Sequence, residues 1–257
     1  HVHTYLSSCC EEKEIQRPDK ILAKAAQLGR RTIGFADHVW ANPDLEPSEW
    51  YKPQDARQID RLREDLRGVT SPVRVLVGCE ADTVAPGKFS ITRKFADTLD
   101  YVLLSCSHFH MLEFVQQPRD NTPRALGEHM LAFFTSAVES GLATSICHPF
   151  RPIGSDAIYA QAMDSLSDAE LLDALGRAAQ RGVALEITVG FLPPRKDPAW
   201  SLDTPRRLIA LARAAGCRFT LGSDAHKLRD LERLDALEPL LTSLNLTEAD
   251  LAQIARQ

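Results

Sequence analysis

Five short apolar runs in this chain end in a histidine or a carboxylate. They are IGFADH at His38, VLVGCE at Glu80, VLLSCSHF at His108, TSICHPF at His148, and FTLGSDAH at Asp224 and His226. The chain itself opens HVHT, which adds His1 and His3. Runs of this length and apolarity suit strands buried on both faces of a parallel sheet. The predicted strands are the segment ending at His3, then 31–37, 73–80, 101–108, 144–148, 184–189 and 218–223. Helical patterns fill the gaps. Ile21, Leu22, Ala25 and Leu28 share one face over 19–28, and Gly29 can end that helix. Leu126, Met130, Phe133, Phe134 and Ala137 do the same over 124–140. Ser167 with Glu170 reads as a capping box. Thr204 and Pro205 are expected to start a further helix that Gly216 closes, and Thr247 to cap the last one.

Strict alternation of strand and helix predicts an α/β fold with a parallel sheet and helices outside it. The polar strand ends are spread over the whole chain. A barrel gathers all such ends at one mouth, whereas an open sheet spreads them along a line. A single domain over 1–257 is therefore expected, with a site at the C-terminal mouth of the strands. The long loop 39–53 carries Trp40, Pro43, Pro47, Trp50 and Pro53 and is a candidate substrate wall.

Bulk composition removes other classes. A net charge of −5 offers no basic patch for nucleic acid. No apolar run approaches the roughly 18–20 residues that span a bilayer, and no signal peptide is visible. The six cysteines, Cys9, Cys10, Cys79, Cys106, Cys147 and Cys217, lack the dense spacing of a secreted disulfide scaffold. Reduced thiols in a cytoplasmic enzyme are expected. No G-x-S-x-G elbow, P-loop or G-x-G-x-x-G is present. Oligomeric state is not legible.

Residues two apart on a strand point the same way, so His1 aims with His3, and Asp224 with His226. One such pair is weak, because surface histidine pairs are common. Two pairs, each at a strand end and joined by four further strand-end ligands, are specific. Six of the eight histidines belong to the set. Imidazole and carboxylate bind zinc, manganese and iron. A carboxylate can bridge two ions with its two oxygens, so Glu80 and Asp224 are the bridging candidates. Asp37 and Asp82 are placed to orient ligand histidines.

The motifs HVHT, ADH, GCE, SHF, CHP and GSDAH, in this order, closely resemble the PHP (polymerase and histidinol phosphatase) family, in its histidinol-phosphatase-like branch. The resemblance covers residues 1 to about 230. It implies a distorted seven-stranded (β/α) barrel, a site of two or three divalent ions (zinc, manganese or iron), and hydrolysis of a small phosphorylated substrate. Carried over by motif, His1, His3, Glu80 and Asp224 hold one ion, and Glu80, His108 and His148 a second. His38 and His226 contribute to a third. The catalytic centre is expected to include Glu80, Asp224, His226 and Asp37.

Where such relatives carry a histidine a few residues after H-x-H, this chain has Cys9, a thiol that would bias the third position towards zinc. The branch also uses loop arginines on phosphate, which implies Arg151 and Arg195 as substrate-binding residues. The guanidinium fork suits that task. The expected activity is a metal-dependent phosphomonoesterase. A phosphodiesterase or amide hydrolase on the same ions is the first alternative. A silent metal-binding regulatory domain is the second, and the complete ligand set argues against it.

Overall fold

The computed structural model describes residues 1–193 and 201–256. The strands are β1 (Thr32–Phe35), β2 (Arg74–Ala85), β3 (Lys88–Phe89), β4 (Tyr101–Ser105), β5 (Ser145–Cys147), β6 (Ala184–Thr188) and β7 (Phe219–Gly222). Six of them form a parallel series in the order β1-β2-β4-β5-β6-β7. The short β3 folds back antiparallel on the far end of β2. The parallel strands fall on the expected segments, but β1 stops at Phe35 and β4 at Ser105, short of 37 and 108, and β2 runs on past Glu80 to Ala85. Glu80 and Asp82 therefore lie inside one strand, two residues apart and on one face.

The HVHT segment forms no strand of its own. It makes two isolated bridges, from Val2 to Phe35 in β1 and from Val2 to Ala225 just past β7. Both edges of the parallel series thus meet at one buried valine, which brings His1 and His3 between the ends of β1 and β7.

The helices are α1 (Pro18–Gln27), α2 (Arg57–Leu66), α3 (Arg93–Ala96), α4 (Pro123–Glu139), α5 (Tyr159–Asp164), α6 (Asp168–Arg181), α7 (Asp203–Ala214) and α8 (Glu238–Ser243). Thr122 caps α4 by accepting from the Ala125 amide, and Pro123 takes a first-turn position whose amide has no helical partner. α6 carries the capping box of Ser167 and Glu170 and ends at Gly182 with φ 67°. Two expected boundaries shift. α7 starts at Asp203, so Thr204 and Pro205 lie within its first turn, where a missing amide costs nothing. Thr247 caps only a short 3-10 turn through Asp250. α2 lies outside the expected helices: RQIDRLREDL is mostly charged, and just Gln58, Ile59 and Leu62 are buried.

The main core lies between the parallel sheet and α4, α6 and α7, around Leu104, Phe133, Phe134, Ile146, Leu171 and Leu208. On the inner side, the Tyr101 ring lies across Gly34 and Gly78, and its hydroxyl donates to the Phe35 carbonyl at 2.9 Å. A Cβ at Gly78 would sit 2.4 Å from the ring, so the glycine there makes room for it. Among the described residues, no helix is long and apolar enough to cross a membrane.

Candidate metal centre

Glu80 and Glu186 project from within β2 and β6, while His38, His108, His148 and Asp224 follow the ends of β1, β4, β5 and β7, and two of those turns are strained. His148 follows β5 with φ 33°, and Asp224 lies just past β7 with φ 48°. A non-glycine residue in that left-handed region costs on the order of 1–3 kcal/mol and persists where surroundings enforce it. Both side chains reach the same cluster: His148 Nε2 lies 2.9 Å from Glu80, and Asp224 Oδ1 3.2 Å from His3.

Three groups of donors result, each with ligand atoms within 4.8 Å of one another: His1, His3, Glu80 and Asp224; Glu80, Cys147 and His148; and His3, Cys9, His38 and His226. Glu80 divides its oxygens between them. Oε1 lies 2.9 Å from His148 Nε2 and 3.4 Å from His108 Nε2. Oε2 lies 3.4 Å from His1 Nε2, 3.2 Å from His3 Nε2 and 3.5 Å from His38 Nδ1. Asp224 Oδ1 lies 3.4 Å from His1 Nε2 and 3.2 Å from His3 Nε2.

The histidines share a second regularity. In all six, Nδ1 meets a protein group and Nε2 is left for another partner. His1 Nδ1 donates to Glu186 at 2.8 Å, His108 Nδ1 to Asp82 at 2.6 Å, and His226 Nδ1 to the Asp224 carbonyl at 2.8 Å. Those partners can only accept, so the tautomer is set. His3 Nδ1 meets Ser7 Oγ at 3.1 Å; that hydroxyl donates to Asp37, so it accepts from the ring. His148 Nδ1 meets Ser107 Oγ at 2.6 Å, and His38 Nδ1 meets the Tyr51 hydroxyl at 3.3 Å. This is how metal-binding histidines are oriented. His1 Nε2 and His3 Nε2 face each other at 3.2 Å. Two neutral rings would set lone pair against lone pair there, so the approach needs either a proton on one ring or a cation shared between them. The donor set therefore fits divalent ions.

Electrostatics agree. Burial alone would raise the Glu80 and Asp224 carboxyls, but the imidazoles around them outweigh it and hold both well below the usual range. Burial would lower the His1 imidazole, yet Glu186 and Asp224 raise it well above its ordinary value. His38 has too little compensation, and burial pushes it down to about 3. The Cys9 thiol is raised by its hydrogen bond with Cys10 and by burial.

Asp37 is buried but touches no histidine. It accepts from the Thr4 amide at 2.6 Å, the Thr4 hydroxyl at 2.7 Å and Ser7 Oγ at 2.6 Å, and reaches His3 only through Ser7. Asp82 holds His108 directly. Arg151 follows the His148 turn, with Nε 3.3 Å from the Gly190 carbonyl and its guanidinium 5.3 Å from the Tyr159 ring centre. Arg195 lies outside the described residues.

Sequence reasoning missed Glu186, Cys147, Ser7, Ser107 and Tyr51. Glu186 had a signal, a lone acid inside the apolar run ALEIT, and such a carboxylate must find partners when buried. Its Oε2 also accepts from the His148 amide at 3.1 Å. Cys147 precedes His148 directly and places Sγ 3.3 Å from Glu80 Oε1.

No family model matches the chain. The fold is similar to that of histidinol phosphate phosphatase from Lactococcus lactis subsp. lactis Il1403, solved with zinc, L-histidinol and phosphate. The TM-score is 0.58 at 19% identity, over 96% of this chain and 93% of that one. At that identity the likeness is one of fold, and it agrees with the resemblance carried by the motifs. A second similar structure, N-isopropylammelide isopropylaminohydrolase from Burkholderia multivorans ATCC 17616, reaches a TM-score of 0.41 at 16% identity, over 92% of this chain and 60% of that one. A score that low carries no weight for function.

Proposed function

We propose that this chain is a metal-dependent phosphoesterase that hydrolyses a small phosphomonoester, on a distorted seven-stranded barrel with its metal centre at the C-terminal mouth of the strands. The observation that carries this reading is Glu80, whose two oxygens face two different sets of imidazole nitrogens. A carboxylate so divided could hold an ion on each oxygen. The fold it shares with a phosphatase solved with zinc and phosphate supports the same chemistry.

His1, His3, Glu80 and Asp224 would hold a first ion, and Glu80, His108 and His148 a second. Cys9, His38 and His226 would hold a third. His3 belongs to the first, because Ser7 occupies its Nδ1 and Nε2 faces Asp224 and Glu80. Bound divalent ions would supply water activation at neutral pH and neutralise charge on the phosphoryl group. The chain's own residues do the rest. Glu80 sets the spacing of the first two positions. Glu186, Ser7, Asp82 and Ser107 keep lone pairs directed inward. Asp224 and His226, the latter stacked on His3 at 4.4 Å, complete the catalytic centre. Asp37 supports it from behind through Ser7. Arg151 and Arg195 would grip non-bridging phosphate oxygens by charge-assisted hydrogen bonds.

The test is metal analysis of the purified protein, followed by a screen of phosphomonoesters, phosphodiesters and amides. Two or three ions per chain and phosphate release from monoesters are expected. A metal-loaded protein that cleaves diesters or amides and leaves monoesters intact would overturn the substrate class. A protein that retains no ions would overturn the centre itself.

A further inference from the structure

The Tyr51 ring is fully buried in the long loop after β1, packed against Trp40, Trp50 and Phe114 at centroid distances of 5.1, 4.8 and 5.4 Å. Packing accounts for the ring but not the hydroxyl. That hydroxyl donates to Asp82 Oδ2 and lies 3.3 Å from His38 Nδ1. The other oxygen of Asp82 accepts from His108 Nδ1 at 2.6 Å. One continuous hydrogen-bonded chain thus runs His38–Tyr51–Asp82–His108; His38 belongs to the group with His3, Cys9 and His226, and His108 Nε2 lies 3.4 Å from Glu80 Oε1 of the group with Cys147 and His148.

We propose that Tyr51 is a positioning residue that couples the second and third metal positions, setting the ring of His38 directly and that of His108 through Asp82. This rests on the metal-centre reading given above.

The direction of each bond follows from donor count. A phenol has one proton, and Tyr51 gives it to Asp82, so towards His38 it offers only lone pairs. His38 Nδ1 must then carry the proton, which leaves Nε2 as its metal-binding nitrogen. Asp82 accepts from both sides, so His108 also carries its proton on Nδ1 and turns Nε2 towards Glu80. Without the phenol, the remaining acceptor near His38 Nδ1 is Glu80 Oε2 at 3.5 Å. The ring would then turn towards the bridging carboxylate and away from the third position. Asp82 would lose one of its two fixed donors and with it part of its hold on His108.

The loop itself is fastened to the opposite side of the third group. Gln54 accepts from the Ser8 amide at 2.9 Å, next to Cys9, and its own amide donates to the Trp50 carbonyl at 3.0 Å. One loop therefore braces both the His38 side and the Cys9 side of that group.

Tyr51→Phe separates the hydroxyl from the packing, since the ring remains. The protein is loaded with cobalt(II), and each ion's affinity is measured by chelator competition. The part of the thiolate-to-cobalt absorption band that Cys9→Ser removes reports the Cys9 position. The variant is expected to keep its fold by circular dichroism and to keep the affinity of the first ion. It should lose roughly 10–100-fold in affinity for both the second and the third, with a shifted or weakened thiolate band. Parental affinities and spectrum would overturn the proposal. A loss confined to the third ion would overturn the coupling. If Tyr51→Phe does not fold, Asp82→Asn approaches the chain from its other end. It should weaken the second ion directly and the third through Tyr51, and a parental third ion there rejects the proposal. A parent protein that binds no cobalt at all would instead count against the metal-centre reading.

Discussion

Glu186 Oε1 lies 2.8 Å from His1 Nδ1, and both side chains are about 99% buried. The same carboxylate takes the His148 amide on its other oxygen, so one residue in β6 fixes both the imidazole from the chain's start and the strained turn after β5. Its place depends on Gly222, where a Cβ would stand 1.9 Å from Glu186 Oε1.

Glu186→Ala should therefore strand two buried donors. We expect a loss of about 1–3 kcal/mol in stability and roughly 10–100-fold in affinity for the first ion. Gly222→Ala should reproduce the metal defect with the carboxylate still present, by pushing it off His1. Chelator competition and thermal melting measure both. Parental metal affinity in the two variants together would remove Glu186 from any part in holding His1.

Glu80→Gln keeps size and removes the charge between the histidine sets. At least one metal equivalent should be lost, with nearly all hydrolysis. Elemental analysis beside phosphate release gives the answer, and full metal content with parental turnover would rule out a bridging role.

Cys9 shares a donor group with His3, His38 and His226. Cys9→Ser should lower metal content by up to one equivalent and shift preference away from zinc, because the soft sulfur is gone. Cys9→His should restore it. A crystal structure of the zinc-loaded parent with Sγ beyond about 4 Å from any ion would reject ligation, since zinc–sulfur bonds are about 2.3 Å.

The dependence on pH has a definite sign. Burial opposes a proton on His1 and His3, but Glu186 and Asp224 for His1, and Cys9, Asp224 and Glu80 for His3, raise both well above 6.5. In the ion-free protein those protons stabilise the fold below the ordinary histidine value, and their contribution fades as pH rises through the folded value. Glu80 and Asp224 are depressed, so their contribution is present above the carboxylate range and fades as pH falls through the folded value. Metal must displace the histidine protons. Added zinc should then raise the melting temperature little near pH 5 and progressively more towards about pH 8. A gain that is flat across that interval would show that these histidines bind no ion.

The candidate donors were legible because an imidazole or carboxylate that closes an apolar run is costly to bury unless it is paired or holds an ion. What stayed hidden depends on tertiary contact. Tyr51 reads as one more loop aromatic until Asp82 and His38 are seen beside it. Ser7 and Ser107 carry no periodicity at all. The pairing of Val2 with both Phe35 and Ala225 joins residues more than 200 positions apart, which no local pattern encodes. α2 was invisible because its exposed face is nearly all charge and its buried face is three residues wide. Glu186 is the instructive omission, since its burial could have been read from its apolar neighbours.

Arg151 stands where the β5 and β6 ends meet. Its amide donates to the His148 carbonyl at 3.1 Å, its Nε lies 3.3 Å from the Gly190 carbonyl, and its guanidinium lies over Tyr159. The last two contacts hold the side chain against the segment that follows β6 and the Tyr159 ring. If the guanidinium grips substrate phosphate, Arg151→Ala should raise KM and lower kcat while metal content stays parental. A charge-assisted contact is worth about 1.5–3 kcal/mol, so a loss of roughly tenfold to hundredfold in kcat/KM is expected. Arg151→Lys should recover only part of it, because an ammonium cannot present the paired donors of the fork. Inorganic phosphate should inhibit the parent and inhibit Arg151→Ala less. Steady-state kinetics on a cleaved phosphomonoester, with and without phosphate, decide the matter. Unchanged kinetics and unchanged phosphate inhibition would place Arg151 among the structural residues of the His148 turn, and phosphate recognition would have to come from elsewhere on the mouth.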